Sequence, residues 1–185
     1  MALKATIFKA ELHVADMDRN YFQTHLLTIA RHPSETDERM MMRVLAFAFN
    51  ADEALVFGKG LSSDDEPDLW QKDLTGAIEK WIDVGQPDEK IVRRACGRAA
   101  QVFVYNYGVR SADVWWQAQK STLDRQSNLT VVNIPIASSA ALAKLADRTM
   151  ELQCTIQDGQ IWLTNGNATV HVEPVLLKQC ALAES

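Results

Sequence analysis

Four consecutive apolar residues, Val102 to Tyr105, constrain the fold of this chain more than any other feature. A nearly continuous apolar run of this kind is typical of a central strand that is covered on both faces. Sheets with such strands carry helices on their faces, because parallel neighbours are joined by crossover connections. The run therefore predicts an α/β fold built around a central strand.

The N-terminal third predicts two strands followed by a helix. Apolar and polar residues alternate over 7–14 and 21–29, which is typical of strands. A helix is then expected, because Ser34 can cap it, acidic residues fill its first turn and an apolar stripe follows. The stripe consists of Met41, Val44, Leu45, Ala48 and Phe49. Glu38 lies three residues before Met41, so its carboxylate is expected to point toward the core or its edge.

Between this helix and the central strand, the predicted elements are short. Strands are predicted at 54–57, 67–73 and 77–85, followed by a second helix that Pro87 opens. The core, about residues 34–107, therefore has the predicted order helix, strand, strand, strand, helix, strand. The remaining predicted elements are helices at 112–123 and from Ser138, and strands at 129–136, 152–156, 161–163 and 169–177. We expect residues 1–185 to form a single α/β domain of α+β character with a mixed sheet.

The composition argues against several classes of protein. Lys and Arg total 19 and Asp and Glu total 24, for a formal charge of −5. This balance argues against a surface coated with basic patches but leaves room for a locally basic groove. The three cysteines are far apart, which predicts neither a disulfide framework nor a zinc site. The chain shows neither a signal-peptide pattern nor an apolar run of about 18 residues, so we expect a cytoplasmic protein with no membrane association.

The turn at 74–76 fixes a register between the two predicted strands that flank it. If the hairpin closes symmetrically about Thr75 and Gly76, Leu74 faces Ala77 and paired residue numbers sum to 151. Trp70 then faces Trp81, which is a plausible cross-strand aromatic pair.

The same register places Asp68 opposite Asp83, with Cβ atoms about 4.5–5.5 Å apart. Two such carboxylates repel each other, and the pair is best tolerated when a cation lies between them or one of them holds a proton. Mg²⁺ is a suitable cation, because it is often bound by one or two carboxylates with waters and phosphates. Glu38 is a candidate third acid. Alternatively, Asp68 faces solvent at a strand end, and a one-residue change in turn length separates the pair.

Motifs around these acids resemble the bacterial YaeQ family. They are Glu66-Pro67-Asp68, the run from Trp81 to Glu89, His32-Pro33-Ser34-Glu35, Asp147-Arg148-Thr149-Met150, and the opening from Met1 to Ile7. The resemblance covers nearly the whole chain. It implies a fold similar to the PD-(D/E)XK nuclease superfamily, with a restriction-endonuclease-like core of a helix, three strands, a helix and a strand.

The resemblance also implies roles for individual residues. Pro67-Asp68 stands where the superfamily has Pro-Asp, and Asp83 stands where it has its second acid, with 14 residues between them. The superfamily's lysine is expected two positions after that acid, where this chain has Gly85. The departure matters because such a lysine stabilises the charge that develops on the phosphate.

Residues near the start of the second helix are the candidates to replace this lysine. In some superfamily members the basic residue lies on that helix, and Lys90 and Arg94 are four positions apart on one face of it. Either side chain could reach back toward the sheet. Gln86 is a polar substitute that supplies no positive charge.

A metal-dependent nuclease acting on DNA or RNA is the first functional hypothesis. Asp68 and Asp83 would hold one or two Mg²⁺ or Mn²⁺ ions, and Glu38 would orient a water. The candidate contacts to the nucleic-acid backbone are Arg93, Arg94 and Arg98. The alternative is a non-catalytic protein of nuclease fold that binds a nucleic acid or a protein and regulates gene expression. Gly85 at the lysine position favours this second hypothesis.

Overall fold

The structure is a computed structural model that describes residues 4–59, 65–108 and 110–181. Its strands are β1 (Thr6–Asp16), β2 (Tyr21–Arg31), β3 (Leu55–Phe57), β4 (Leu69–Lys72), β5 (Ile78–Val84), β6 (Ala99–Tyr107), β7 (Leu129–Ile134), β8 (Thr149–Gln157), β9 (Gln160–Thr164), β10 (Thr169–Val172) and β11 (Val175–Lys178). Its helices are α1 (Asp37–Phe49), α2 (Glu89–Arg98), α3 (Arg110–Leu123) and α4 (Ile136–Ala143).

The strands form two mixed sheets. The first has the order β10-β9-β8-β1-β2, and the second has the order β11-β7-β6-β5-β4-β3. In the second sheet β5, β6 and β7 run parallel, while β3, β4 and β11 are antiparallel to their neighbours. The predicted mixed α/β fold is therefore confirmed, with β6 in the interior of its sheet as its apolar run indicates.

The helices divide the core into two clusters of buried side chains. Helix α1 is buried on nearly all sides and packs in one cluster with side chains from both sheets, as expected of a helix that is apolar around most of its circumference. Helices α2 and α3 cover the opposite face of the second sheet, and the other cluster there includes Trp81, Trp115 and Trp116. No helix in the described ranges is both long and apolar enough to cross a membrane.

The predicted order of core elements is confirmed as α1, β3, β4, β5, α2 and β6, but several element ends differ from prediction. Thr36 rather than Ser34 caps α1, because the Thr36 side chain accepts a hydrogen bond from Arg39 N (3.1 Å). The Ser34 hydroxyl is instead hydrogen-bonded to His32 Nδ1 (2.8 Å). Helix α2 begins two residues after Pro87, because Asp88 provides its N-cap.

Two further corrections concern the C-terminal part. Helix α4 begins at Ile136, directly after Pro135, and so includes Ser138 rather than starting there. The single strand predicted over 169–177 is two strands, β10 and β11, because Pro174 lies between them and has no N–H to donate to a ladder.

The hairpin between β4 and β5 closes differently from the predicted symmetric turn. Asp73 N donates to Ala77 O (2.9 Å), so the pair that closes the loop is Asp73 with Ala77, and Leu74 does not face Ala77. The resulting three-residue loop needs a left-handed residue at its end. Gly76 supplies it with φ +88°.

A β-bulge then restores the predicted register. Gln71 pairs with Lys80 whereas Lys72 pairs with Ile78, so Glu79 is an extra residue on β5. Beyond the bulge Trp70 faces Trp81 as predicted, and the two rings lie edge to face with centroids 6.1 Å apart. The one-residue register shift at the turn and the one-residue register shift at the bulge cancel. All residue pairs of β4 and β5 that lie farther from the turn therefore keep the predicted alignment.

The two exposed glycines Gly76 and Gly97 provide a matched test of this hairpin. We expect Gly76→Ala to lower the free energy of unfolding by about 1 kcal/mol, because alanine is strained at positive φ. A Cβ at either position meets nothing within 4 Å, and Gly97 has helical backbone. Gly97→Ala should therefore raise the free energy of unfolding by about 0.5–1 kcal/mol. Urea denaturation measures both values, and equal destabilisation of the two variants would contradict this account of the turn.

Candidate functional site

An open groove of about 360 Å³ lies where β5 ends and α2 begins. Its lining residues are Arg39, Glu66, Asp68, Asp83, Val84, Gly85, Gln86, Pro87, Asp88, Ile91 and Tyr107. The groove therefore contains both acids that the sequence analysis places opposite each other, at the junction of β4, β5, α1 and α2.

Asp68 and Asp83 lie side by side in this groove and are only 4% and 5% exposed. Asp68 N donates to Asp83 Oδ1 (3.3 Å), and Val84 N donates to Asp68 Oδ2 (2.9 Å). Trp81 Nε1 donates to Asp83 Oδ2 (2.9 Å). The predicted convergence of the two carboxylates is confirmed, and the alternative in which Asp68 faces solvent is wrong.

Glycine 58 helps to place Asp68. Gly58 N donates to Asp68 O (2.8 Å), and a Cβ at Gly58 would lie 2.1 Å from Pro67 O. Such a distance is far inside van der Waals contact, so only glycine lets the chain after β3 lie this close to the Pro67-Asp68 backbone. The tight contact holds that segment in line with the end of β5.

A cation already contacts the carboxylate pair. Arg39 Nη2 donates to Asp68 Oδ1 (2.7 Å), and Arg39 Nη1 donates to Glu35 Oε1 (3.0 Å). Burial by itself would lower the pKa of Arg39, but the charges of Asp68 and Glu35 outweigh burial and raise that pKa. Arg43 donates to both oxygens of Glu35, through Nε (2.8 Å) and Nη2 (2.7 Å). Positive and negative groups therefore alternate from Arg43 to Asp68.

Protonation relieves the remaining repulsion. Burial, and secondarily the negative charge of Asp68, raise the pKa of Asp83 from 3.8 to about 7. Adjacent carboxylates are tolerated when a cation or a proton relieves their repulsion. Both apply here, because the Arg39 guanidinium lies beside Asp68 and the raised pKa of Asp83 favours its protonated form.

Glu38 does not join the pair in this structure. It is half-buried on α1 and does not line the groove, whereas the next residue, Arg39, does. Within the described ranges, no three His, Cys, Asp or Glu side chains are grouped closely enough to hold a metal ion. The role of Glu38 as a third metal ligand stays a prediction that this arrangement does not support.

The predicted basic residues of α2 lie outside the groove. Lys90 and Arg94 are exposed, because Val92 and Ala95 form the buried side of the helix. Arg93 pairs with Glu89 across one helical turn (2.7 Å). Arg98 donates to Asp65 O (3.3 Å). Lys90 and Arg94 therefore do not stand beside the acids, and Arg39, which the sequence analysis does not single out, takes that position.

Asp68 and Asp83 supply enough carboxylate ligands for a hard divalent cation, but their oxygens are already engaged in other contacts. Two carboxylates in an open groove are the ligands that Mg²⁺ commonly takes, together with waters and phosphate oxygens. All four carboxylate oxygens accept hydrogen bonds, one of them from Arg39. A metal ion bound by Asp68 and Asp83 would therefore have to replace the contact between Arg39 and Asp68.

We expect the stability of the protein to fall as the pH rises from about 4 to about 7, in part because of Asp83. In this window folded Asp83 keeps a proton that the unfolded chain has lost, because its folded pKa of about 7 exceeds the ordinary aspartate pKa of 3.8. This contribution, up to about 4 kcal/mol, is fully present below the unfolded pKa and is lost as the pH passes the folded pKa.

The test compares urea denaturation at pH 5 and pH 8. Asp83→Asn should show a smaller loss of stability over this range than the wild type does. Asp124→Asn, at an exposed position, should keep the wild-type dependence. Identical pH dependence in wild type and Asp83→Asn would contradict the assignment of a buried proton to Asp83.

Comparison with known proteins places the chain in a family. The family model described as YaeQ protein matches residues 1–174. A protein of Escherichia coli (strain K12) named "Uncharacterized protein YaeQ" is 48% identical over 172 residues, which cover 93% of this chain and 95% of that protein. The protein of the same name from Salmonella typhi is 47% identical over 173 residues, which cover 94% and 96%.

Solved structures agree with these sequence matches. The crystal structure of YaeQ protein from Xanthomonas axonopodis pv. citri has a TM-score of 0.91 and 45% identity, and the match covers 94% of this chain and 98% of that one. The crystal structure of YaeQ protein from Pseudomonas syringae has a TM-score of 0.90 and 35% identity, with coverage of 95% and 97%. The chain therefore belongs to the YaeQ protein family.

Proposed function

We propose that this protein is a divalent-metal-dependent phosphodiesterase of nuclease type that acts on nucleic acid. The observation that carries the proposal is the convergence of Asp68 and Asp83, both buried, in an open groove. Buried carboxylates with mutual repulsion cost stability, and a functional site is a common reason for a protein to retain such a pair.

The arrangement of elements supports the same proposal. Asp68 directly precedes β4 and Asp83 lies near the end of β5, within the order α1, β3, β4, β5, α2 and β6. The resemblance of the sequence implies the same order of elements, and acids at the same positions, in the core of the PD-(D/E)XK nuclease superfamily.

Asp68 and Asp83 would hold Mg²⁺ or Mn²⁺. When bound, a divalent ion supplies an acidified water and positive charge against the phosphate. In the reaction, a water oxygen bonds to phosphorus, the ester P–O bond breaks and the leaving oxygen takes a proton. The products are a phosphate monoester and an alcohol, so the reaction consumes one water and needs no other co-reactant. The buried position of the two acids keeps them fixed while the groove stays open to the substrate.

Helix α2 supports nucleic acid as the substrate. Pro87, Asp88 and Ile91 form one wall of the groove at the start of the helix. Lys90, Arg94 and Arg98 follow at intervals of four residues and are exposed, so they form a positive stripe that extends away from that wall. Such a stripe is suited to the phosphates of a chain that enters the groove. Arg93 contributes less, because Glu89 offsets its charge.

A second candidate function is nucleic-acid binding without catalysis. It is favoured by Gly85 at the position where the superfamily has its lysine, and by the hydrogen bonds that the carboxylate oxygens already accept. The two candidates predict different results in a metal titration.

Calorimetric titration with Mn²⁺ separates the two candidates. We expect the wild type to bind Mn²⁺ saturably. Asp83→Asn and Asp68→Asn should each weaken binding by about tenfold or more, because each removes one of two ligands. The same two variants should lose hydrolysis of a labelled oligonucleotide.

Asp124→Asn is the matched control, since it removes an exposed carboxylate outside the groove. It should bind Mn²⁺ like the wild type. Equally weak heats from wild type and Asp83→Asn would remove the metal site and leave only the second candidate.

The salt dependence of oligonucleotide binding tests the stripe on α2. We expect the double variant Lys90→Gln/Arg94→Gln to bind oligonucleotides of every sequence more weakly than the wild type. The slope of the logarithm of the binding constant against the logarithm of the salt concentration should fall in magnitude by about one to two. Fluorescence anisotropy in EDTA measures binding without turnover. The control Arg125→Gln/Lys144→Gln removes two exposed charges elsewhere. An equal effect of both double variants would mean that net charge, rather than α2, determines binding.

A further inference from the structure

The backbone explains why no lysine stands at the superfamily position. Gly85 has φ +90°, and its N–H donates to Tyr105 O (2.9 Å). The nearest atom to a Cβ at this position is 3.9 Å away, so space is not the obstacle. The obstacle is the left-handed backbone, because residues with a Cβ are strained in that conformation. A site with this turn after β5 must obtain its positive charge from another element.

Arg39 is the only basic residue among the described residues that line the groove. It comes from α1 and reaches Asp68 at 2.7 Å. Its side chain is 21% exposed, so the guanidinium borders the groove and is accessible to a ligand there. Two of its N–H groups are used by Asp68 and Glu35, which leaves others of the planar fork to donate to an anion.

Glu35 and Arg43 act as a support for Arg39 rather than as competitors for it. Arg43 already donates to both oxygens of Glu35 and is itself buried. Arg43 Nη2 also donates to Ala30 O at 3.0 Å, which ties the support to β2. Arg39 can therefore keep its contact to Glu35 while its contact to Asp68 is exchanged for another anion.

We propose that Arg39 supplies the phosphate-binding positive charge that the missing lysine supplies elsewhere, and that it occupies Asp68 only until a divalent ion binds. The inference rests on the proposed function. It assigns Arg39 two properties. Before a metal ion binds, Arg39 is bound to Asp68, so the metal ion must displace it from that carboxylate. After the metal ion has bound, Arg39 contacts the substrate phosphate.

These properties predict opposite changes in two measurements. Arg39→Gln should bind Mn²⁺ about tenfold more tightly than the wild type in calorimetry, because the variant lacks the positive charge of Arg39, which repels the metal ion from its ligands. The same variant should hydrolyse a labelled oligonucleotide about 100-fold more slowly, because it has lost charge stabilisation at the phosphate. A residue with a merely structural role would weaken both.

Matched variants complete the experiment. Arg39→Lys retains the charge and should recover most of the hydrolysis, while its Mn²⁺ affinity returns toward that of the wild type. Arg125→Gln, at an exposed position outside the groove, should change neither measurement. Circular dichroism checks the folding of each variant, and Arg39→Met, which keeps an apolar stem, is a second neutral variant if Arg39→Gln does not fold.

The outcomes distinguish this inference from the proposed function. Tighter Mn²⁺ binding with lost hydrolysis in Arg39→Gln supports it. Mn²⁺ binding that depends on Asp83 but is not tightened by Arg39→Gln, or hydrolysis within about threefold of wild type in Arg39→Gln, overturns this inference alone. No Mn²⁺ binding in any variant, the wild type included, overturns the proposed function and this inference together.

Discussion

The ion pair between Arg39 and Asp68 is the interaction on which the rest of the groove depends. Two buried carboxylates next to each other are unfavourable, and removing one partner of a buried ion pair leaves an uncompensated charge. Arg39 prevents this at Asp68, and Glu35 with Arg43 fixes Arg39 in place. The strand ends can therefore hold their acids close together, while the walls contributed by α2 and β6 remain open to solvent.

The sequence predicted the register between the two acids better than it predicted the turn that produces the register. Tryptophan pairing and carboxylate pairing are both observed, although the loop closes at Asp73 with Ala77 and a bulge follows at Glu79. Turn geometry depends on which residue adopts positive φ, and bulges depend on packing across the sheet. Counting residues symmetrically from the turn gives the same register whether the turn and the bulge each shift the pairing by one residue in opposite directions or neither shift occurs. Apolar periodicity, by contrast, predicted the order of the core elements correctly, because it reflects burial directly.

Arg39 was beyond the reach of the sequence because its partner is 29 residues away. A signal was nevertheless present: Arg39 and Arg43 are four residues apart and share one side of α1, and Glu35 lies just before the helix, four residues before Arg39. That pattern indicates a row of ion pairs but does not say which acid outside the helix completes it. For Lys90 and Arg94 the sequence was more informative, since the apolar residues that predict α2 place both on its opposite side. Their exposure was therefore predictable, and their reach toward the acids was not.

Gly58 shows how far the demands of this groove extend along the chain. The residue carries no functional group, yet its hydrogen atom faces Pro67 O where any side chain would collide. A methyl group there would push the Pro67-Asp68 segment outward and misalign the acid from its partner on β5. A steric constraint at Gly58, which is neither of the two acids, therefore limits which substitutions the groove tolerates. A screen for loss of function should find substitutions of Gly58 as readily as substitutions of the acids themselves.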